Sequence, residues 1–304
     1  MKKFNSSQQI AALLELTVKG QPEAIQAFSD KLLCVQSGFF NPNRPLGTFL
    51  LLGPTGTGKT LLTKTIAHHF FDQNFQRFDM SEYGEVKSTQ NFVQRMESIA
   101  KSFDGKRGIL LFDEIEKANS TLHKLFLQLL DEGRLSNIDT GTAMDWRNVI
   151  LCATSNVGSR ELAKANLSDR ELVKKYVFDQ VRVTFAPEWL ARWSDIVVYR
   201  ALDRTAQRAI ADGMLAAHKQ FIEKLTPNHK WHFDPSVGLH LLDIGIDPVY
   251  GARPLEKATE RVLNVPIVEH CLSHPNGGSW IVGIDRGAVR IVTAAESHVF
   301  EADR

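Results

Sequence analysis

A chain of 304 residues, 43% apolar and 23% charged, suits one large or two modest domains of an ordinary folded protein. With 36 Lys+Arg against 35 Asp+Glu the net charge is +1, so no overall field draws the chain toward nucleic acid or anionic lipid. Cys34, Cys152 and Cys271 lie in no CxxC or Cys/His cluster, which argues against a disulfide framework or a zinc site and reads as small core residues in a reducing compartment.

The start, MKKFNSSQQIAALLEL, is apolar only in short, broken stretches, so it is read as neither signal peptide nor anchor, and no run approaches a membrane span. A cytoplasmic protein is expected. Residues 8–36 show two amphipathic helices parted at Gly20, with Pro22 in the first turn of the second. GFFNPNRPLG (38–47) is a loop. TFLLLG (48–53) reads as a buried strand and TLLTKTIAHHFF (60–71) as a helix. RFDMS (77–81), GILLFDE (108–114) and NVILCATSN (148–156) are further strands, alternating with helical segments such as NSTLHKLFLQLLDEG (119–133). Buried strands alternating with helices predict an α/β fold, a parallel sheet covered on both faces.

After IVVYRAL (196–202) the pattern changes to a long helix over 203–225, a Pro/Asn/His break at 226–229 and a short helix near 235–243. A helix from 253 to about 272 and two strands, SWIVGI and AVRIVTA, follow. The expected organisation is a large nucleotide-binding domain over 1–202 and a smaller C-terminal α+β domain over 203–304.

GPTGTGKT fits GxxxxGK[ST] and lies between a predicted strand and a helix, the context that gives the pattern its meaning. Its glycines let backbone N–H groups wrap phosphate oxygens at the positive end of the following helix. Gly53, Pro54, Thr55, Gly56, Thr57, Gly58, Lys59, Thr60 and Leu61 are the expected ATP contacts, with Lys59 reaching the β- and γ-phosphates and Thr60 ligating Mg²⁺. The strand GILLFDE ends in two acids: Asp113 for Mg²⁺ and Glu114 to polarise the attacking water.

The strings VKGQPEAI, NPNRPLGTFLLLGPTGTGKT, FDMSEY, LLFDEIEKA, LLDEGRL, TSNVGS and DPVYGARPL together resemble the Clp-type AAA+ ATPases, most closely the second ATPase ring of the bacterial disaggregase, from about Leu16 to Val292. The resemblance implies that Asn156, in TSN, is the sensor that helps orient the water. It puts an arginine finger at Arg192, in PEWLAR, and a γ-phosphate-sensing arginine of the small domain at Arg253, in GARP. Val18 and Lys19 fall at the adenine, although a lysine replaces the family's usual aliphatic residue there. An arginine supplied by a neighbour implies a homo-oligomeric ring, most often a hexamer, with ATP at each subunit boundary.

The chain departs from the family between MSEY and the second acidic motif, where threading members carry a glycine-rich loop with an aromatic residue lining the pore. Residues 84–108 are markedly shorter and hold Phe92, Met96, Ile99 and Phe103 at helical spacing, with Val93 and Ala100 beside them. The phenylalanines are therefore expected in the core of one fused helix rather than on a grip. Thr142 and Ala143 stand where the family has the arginine of its GRT string, and Ala186 where an arginine precedes Pro-Glu. Residues 159–183 lack the Ile-Gly-Phe-like tripeptide that docks a peptidase ring, so no peptidase partner is expected.

The leading expectation is an ATPase ring that remodels or holds a protein partner without conventional threading. Alternatives are an unfoldase gripping with another segment, such as residues 136–144, and an ATP-switched scaffold in a secretion, defence or mobile-element system. The sequence shows no counterpart of the N-terminal and first-ring regions of larger relatives, which fits a specialised role. Balanced charge and the lack of a Lys/Arg run with interleaved aromatics argue against a nucleic-acid motor. His68 and His69 have no third ligand at sensible spacing for a metal. Trp146, Trp189 and Trp193 read as packing residues.

Overall fold

The computed structural model describes residues 3–159, 170–247 and 251–300, which fall into two compact units, residues 1–201 and 202–304. Residues 160–169, within the stretch considered for peptidase docking, and residues 248–250 of DPVYGARPL lie outside the described residues.

The first unit opens with α1 (Ser7–Glu15) and α2 (Pro22–Gln36). The Ser6 hydroxyl caps the former by accepting the Gln9 N–H, and Pro22 starts the latter where a missing N–H costs nothing. There follow β1 (Gly47–Leu52), α3 (Lys59–Phe70), β2 (Phe75–Asp79), α4 (Thr89–Phe103), β3 (Gly108–Asp113) and α5 (Ser120–Glu132). A short hairpin of β4 (Arg134–Ser136) and β5 (Ala143–Asp145) leads to β6 (Val149–Ser155). Beyond the undescribed stretch come α6 (Arg170–Thr184), α7 (Pro187–Leu190) and β7 (Asp195–Val198).

The sheet order is β2-β3-β6-β1-β7, with all pairs parallel. β1, β3 and β6 are the inner strands, which is why they read as unbroken apolar runs. Alternate residues feed two cores: Phe49, Leu51, Ile109 and Leu111 pack with α1, α2 and α3, while Leu50, Leu52, Leu110 and Phe112 pack with α4 and α5. Parallel register brings the C-terminal ends of the strands together, with Leu52 opposite Ser155 and Asp79 opposite Asp113. In doubly wound sheets ligands bind at this edge.

Residues 89–103 form one helix, as the spacing predicts, burying Phe92, Val93, Met96, Ile99 and Phe103. Its outer face carries Asn91, Gln94, Ser98 and Lys101. Trp146, Trp189 and Trp193 are buried. One expectation fails: Cys34 is exposed, whereas Cys152 is buried and Cys271 half-buried. The inward face of α2 is set by Ile25, Phe28, Leu32 and Val35, and position 34 falls outside that stripe.

The second unit comprises α8 (Arg204–Leu225), β8 (His229–Phe233), α9 (Pro235–Gly245), α10 (Arg253–Ser273), β9 (Gly278–Asp285) and β10 (Ala288–Val292). Its sheet order is β10-β9-β8, with β8 parallel and β10 antiparallel to β9. The expected break at 226–229 is therefore shorter: His229 begins a strand in which His229 and Trp231 are buried while Lys230 and His232 are exposed. Asp203 and Asp234 cap α8 and α9 by accepting the N–H of Ala206 and Ser236. Among the described residues no helix is long and apolar enough to cross a membrane.

Candidate functional site

The loop from β1 to α3 holds Gly53, Gly56 and Gly58 at φ of +130°, +69° and +100°, a region that side chains rarely adopt. A Cβ on Gly53 would stand 2.4 Å from the Tyr199 carbonyl oxygen, so the first turn has room only for glycine. The Gly53 N–H donates to the Ser155 carbonyl at 3.2 Å, tying the loop to the end of β6, and Thr57 Oγ1 closes it by donating to Pro54 O at 2.8 Å. Gly58 caps α3 without any side-chain hydrogen bond, so the positive end of the helix faces the loop. Thr55 and Thr60 are half-buried and Leu61 is exposed. Val18 is buried, with Cγ1 3.5 Å from where a Cβ on Gly58 would lie. Lys19 instead turns back, its Nζ donating to Glu15 O at 2.5 Å.

Lys59 is buried, and its Nζ donates to the carbonyls of Gly53 and Pro54 at 2.5 and 2.8 Å and to Asn156 Oδ1 at 3.1 Å. The Asn156 amide then donates through Nδ2 to Glu114 Oε1 at 3.3 Å. Lys59, Asn156 and Glu114 thus form one chain of contacts from the loop to the acid. Glu114 sits at φ +59°, a left-handed conformation that costs about 1–2 kcal/mol for a residue with a Cβ. It is held there by its N–H, which donates to Thr154 Oγ1 at 3.0 Å, and by Lys117 Nζ, which donates to Oε2 at 2.5 Å. The hydrogen bond and charge of Glu114 raise the pKa of the Lys117 ammonium above its ordinary value. Asp113 accepts from the Thr154 hydroxyl on one oxygen and from Arg77 on the other, with Nε at 2.8 Å and Nη2 at 2.6 Å.

Arg77, Thr154, Glu116 and Lys117 belong to this cluster and were not expected from sequence. Glu116 Oε1 accepts the Asn156 N–H at 3.0 Å, fixing the main chain of the sensor position. Arg77 stands two residues before Asp79 on the same face of β2, next to the strand that ends in Asp113, so a cation near a strand end was the available signal. Arg192 lies outside the cluster: its Nη1 pairs with Asp131 at the end of α5. Arg253 is exposed at the first position of α10, in the second unit. Among the described residues no group of three or more His, Cys, Asp or Glu side chains is gathered for a metal ion. The glycine cradle, the open start of α3 and Lys59 fit a nucleoside triphosphate, and the Thr60 hydroxyl with the Asp113 carboxylate are oxygen donors of the kind Mg²⁺ takes.

A phosphate-binding loop after β1, an acidic pair ending β3 and an asparagine ending the strand between them define an AAA+ type P-loop ATPase. A family model described as the AAA domain (Cdc48 subfamily) matches residues 44–196, and one described as the C-terminal, D2-small domain of ClpB protein matches residues 202–280. The chaperone protein ClpB of Rhizobium meliloti is 36% identical over 288 residues, covering 88% of this chain and 33% of that protein. ClpB of Meiothermus ruber is 36% identical over 279 residues, covering 86% and 32%, and ClpB 1 of Nostoc sp. is 33% identical over 282, covering 88% and 32%. The chain spans about a third of the length of the curated relatives it matches. It belongs to the Clp-type AAA+ ATPases and resembles the second ATPase ring of the disaggregase.

Proposed function

We propose that this cytoplasmic ATPase works as a homo-oligomeric ring, a hexamer by family resemblance, and remodels or holds a protein partner without an aromatic pore grip. The observation that carries the hydrolysis in this reading is the continuous chain Lys59–Asn156–Glu114. It couples the group suited to the β- and γ-phosphates to the carboxylate suited to polarise water, so both are oriented before substrate arrives. The buried Phe92 and Phe103 of α4 support the lack of an aromatic grip.

In this reading the loop amides and Lys59 hold the phosphates, while Val18, Lys19 and Leu61 flank the adenine. Thr60 would hold Mg²⁺ directly and Asp113 through water, its carboxylate being oriented by Thr154 and Arg77. Bound Mg²⁺ supplies positive charge to the β- and γ-phosphate oxygens. Glu114 orients the attacking water and takes its proton, aided by the Asn156 amide. Arg192 reaches the γ-phosphate of an adjoining protomer, and Arg253 reports nucleotide state to the second unit. The relatives' name, chaperone protein, supports a protein partner.

Hydrolysis is expected to rise steeply with protein concentration, and Glu114→Gln and Arg192→Ala are each expected to abolish it while ATP still binds. Activity that persists undiminished at high dilution would sink the ring. A second reading, an unfoldase with another grip, is favoured by Ile138, which is 92% exposed on the β4–β5 loop. ATP-driven unfolding of a tagged fluorescent protein, lost in Ile138→Ser, would decide for it.

A further inference from the structure

The ion pair between Asp131 and Arg192 plays no part in the phosphate and acid cluster. We propose that Asp131 is a positioning residue for Arg192: it holds the guanidinium by one nitrogen and leaves the remaining donors for an acceptor on the adjoining protomer. The inference rests on the reading of Arg192 as a residue supplied in trans.

The main chain at Arg192 is fixed. Trp189 and Trp193 flank it, both buried, with ring centres 5.2 Å apart. The Arg192 carbonyl accepts from Thr48 Oγ1 at 3.3 Å, and the next-but-one residue, Ser194, donates its N–H to Thr48 Oγ1 and its hydroxyl to Thr48 O, each at 2.8 Å. Only the side-chain torsions of Arg192 remain to be set. An arginine free to explore its rotamers loses that freedom on meeting a phosphate, which weakens the contact.

Asp131 supplies the missing constraint. It lies in the last turn of α5, which carries no basic residue, so the negative end of the helix disfavours a carboxylate there and α5 gains nothing from it. The contact is end-on: Nη1 donates to Oδ1 at 3.0 Å and lies 2.9 Å from Oδ2. It is not the two-nitrogen fork that would occupy the guanidinium edge. Among the described residues, Nε and Nη2 have no acceptor. The side chains are 45% and 30% exposed, so the pair is solvated and adds little to stability. Orientation is what it can supply.

The test compares ATP hydrolysis by the full chain carrying Asp131→Ala, Asp131→Asn, Asp131→Glu or Arg192→Ala, with assembly followed by sedimentation velocity. Asp131→Ala and Asp131→Asn are expected to lower kcat about two- to fivefold, the extent to which a solvated ion pair can restrict a side chain, at unchanged KM and assembly. Asp131→Glu should restore part of the loss. Adding excess Glu114→Gln subunits, inactive themselves but with Asp131 and Arg192 intact, should restore hydrolysis in Asp131→Ala subunits as it does in Arg192→Ala subunits. Full or raised activity of Asp131→Ala beside an inactive Arg192→Ala overturns the inference and leaves the reading of Arg192 standing. Loss of assembly in Asp131→Ala and Asp131→Asn, which would assign Asp131 to the contact between subunits, or no rescue where Arg192→Ala is rescued, which would assign it a role inside its own subunit, also overturns it. Full activity of Arg192→Ala overturns the reading of Arg192 itself.

Discussion

Replacing Phe92 with alanine separates a buried helix from a substrate grip. Phe92 is 1% exposed, and its ring centre lies 5.3 Å from Phe78 and Tyr83, 6.1 Å from Phe126 and 6.2 Å from Phe112. Truncation leaves a cavity walled by four rings, and the lost transfer free energy plus that cavity costs about 3–5 kcal/mol. The edge-on contact with Tyr83 favours the upper half of that range. With a urea m-value of about 3 kcal/mol/M, the first unit's unfolding midpoint falls by about 1 M or more. Tryptophan fluorescence follows it, since Trp146, Trp189 and Trp193 belong to the first unit and Trp231 and Trp280 to the second, allowing two transitions to be told apart. Phe92→Leu, which keeps most of the volume, is expected to cost about 1.5 kcal/mol and to retain ATP hydrolysis. An unmoved midpoint in Phe92→Ala, with only substrate processing lost, would refute the assignment of this side chain to the core.

Gly53→Ala places a Cβ against the Tyr199 carbonyl at a φ of +130° and is expected to destabilise the first unit by about 2–3 kcal/mol and abolish binding of a fluorescent ATP analogue. Glu97 accepts hydrogen bonds from Asn137 and Lys101, which hold its carboxyl at about 2 against an ordinary 4.5. Because the folded value is depressed, its contribution is present above 4.5 and lost as pH falls toward 2, so Glu97→Gln should flatten the stability–pH curve across that window in urea titrations. Burial, and then the neighbouring His274 and His229, lower the pKa of His270 from 6.5. The unfolded chain then binds the extra proton first, so stability of the second unit is present above 6.5 and lost as pH falls below it; His270→Gln should remove that loss, read by thermal unfolding.

Much of the first unit was legible because its signals are local. A glycine run between an apolar strand and a helix can be read from eight residues, and the helix of residues 89–103 announces itself by the spacing of Phe92, Met96, Ile99 and Phe103. What escaped was non-local. HKWHF carries too little apolar character to read as a strand, and it becomes one because β9, some fifty positions on by the register His229 to Gly278, supplies the partner. The three-residue strands β4 and β5 are too short to show a period. Arg77 and Asp131 are charged residues on regular elements, and only the fold shows which of the many such residues meets Asp113 or Arg192.

The replacement of a loop by a helix bears on how hydrolysis can be used. Phe112 immediately precedes Asp113, and its ring lies 5.4 Å from Phe78, 4.7 Å from Phe126 and 6.2 Å from Phe92. Helix α4 therefore shares a core with the strand whose end carries the acidic pair. Protein interiors are packed as densely as organic crystals, so a shift at the end of β3 displaces α4 as a body rather than being absorbed between them. A glycine-rich loop outside the core would instead move by its own torsions and could present an aromatic side chain to a substrate. What α4 presents to solvent is Asn91, Gln94, Arg95, Ser98, Lys101 and Ser102, a polar surface with no apolar anchor to hold an extended peptide. In the proposed function, motion generated at the nucleotide would reach this face as a change in the position of a rigid, polar surface. A surface of that kind suits bracing or releasing a folded partner, whereas pulling on a chain would fall to an element with an exposed apolar side chain, such as the β4–β5 loop with Ile138.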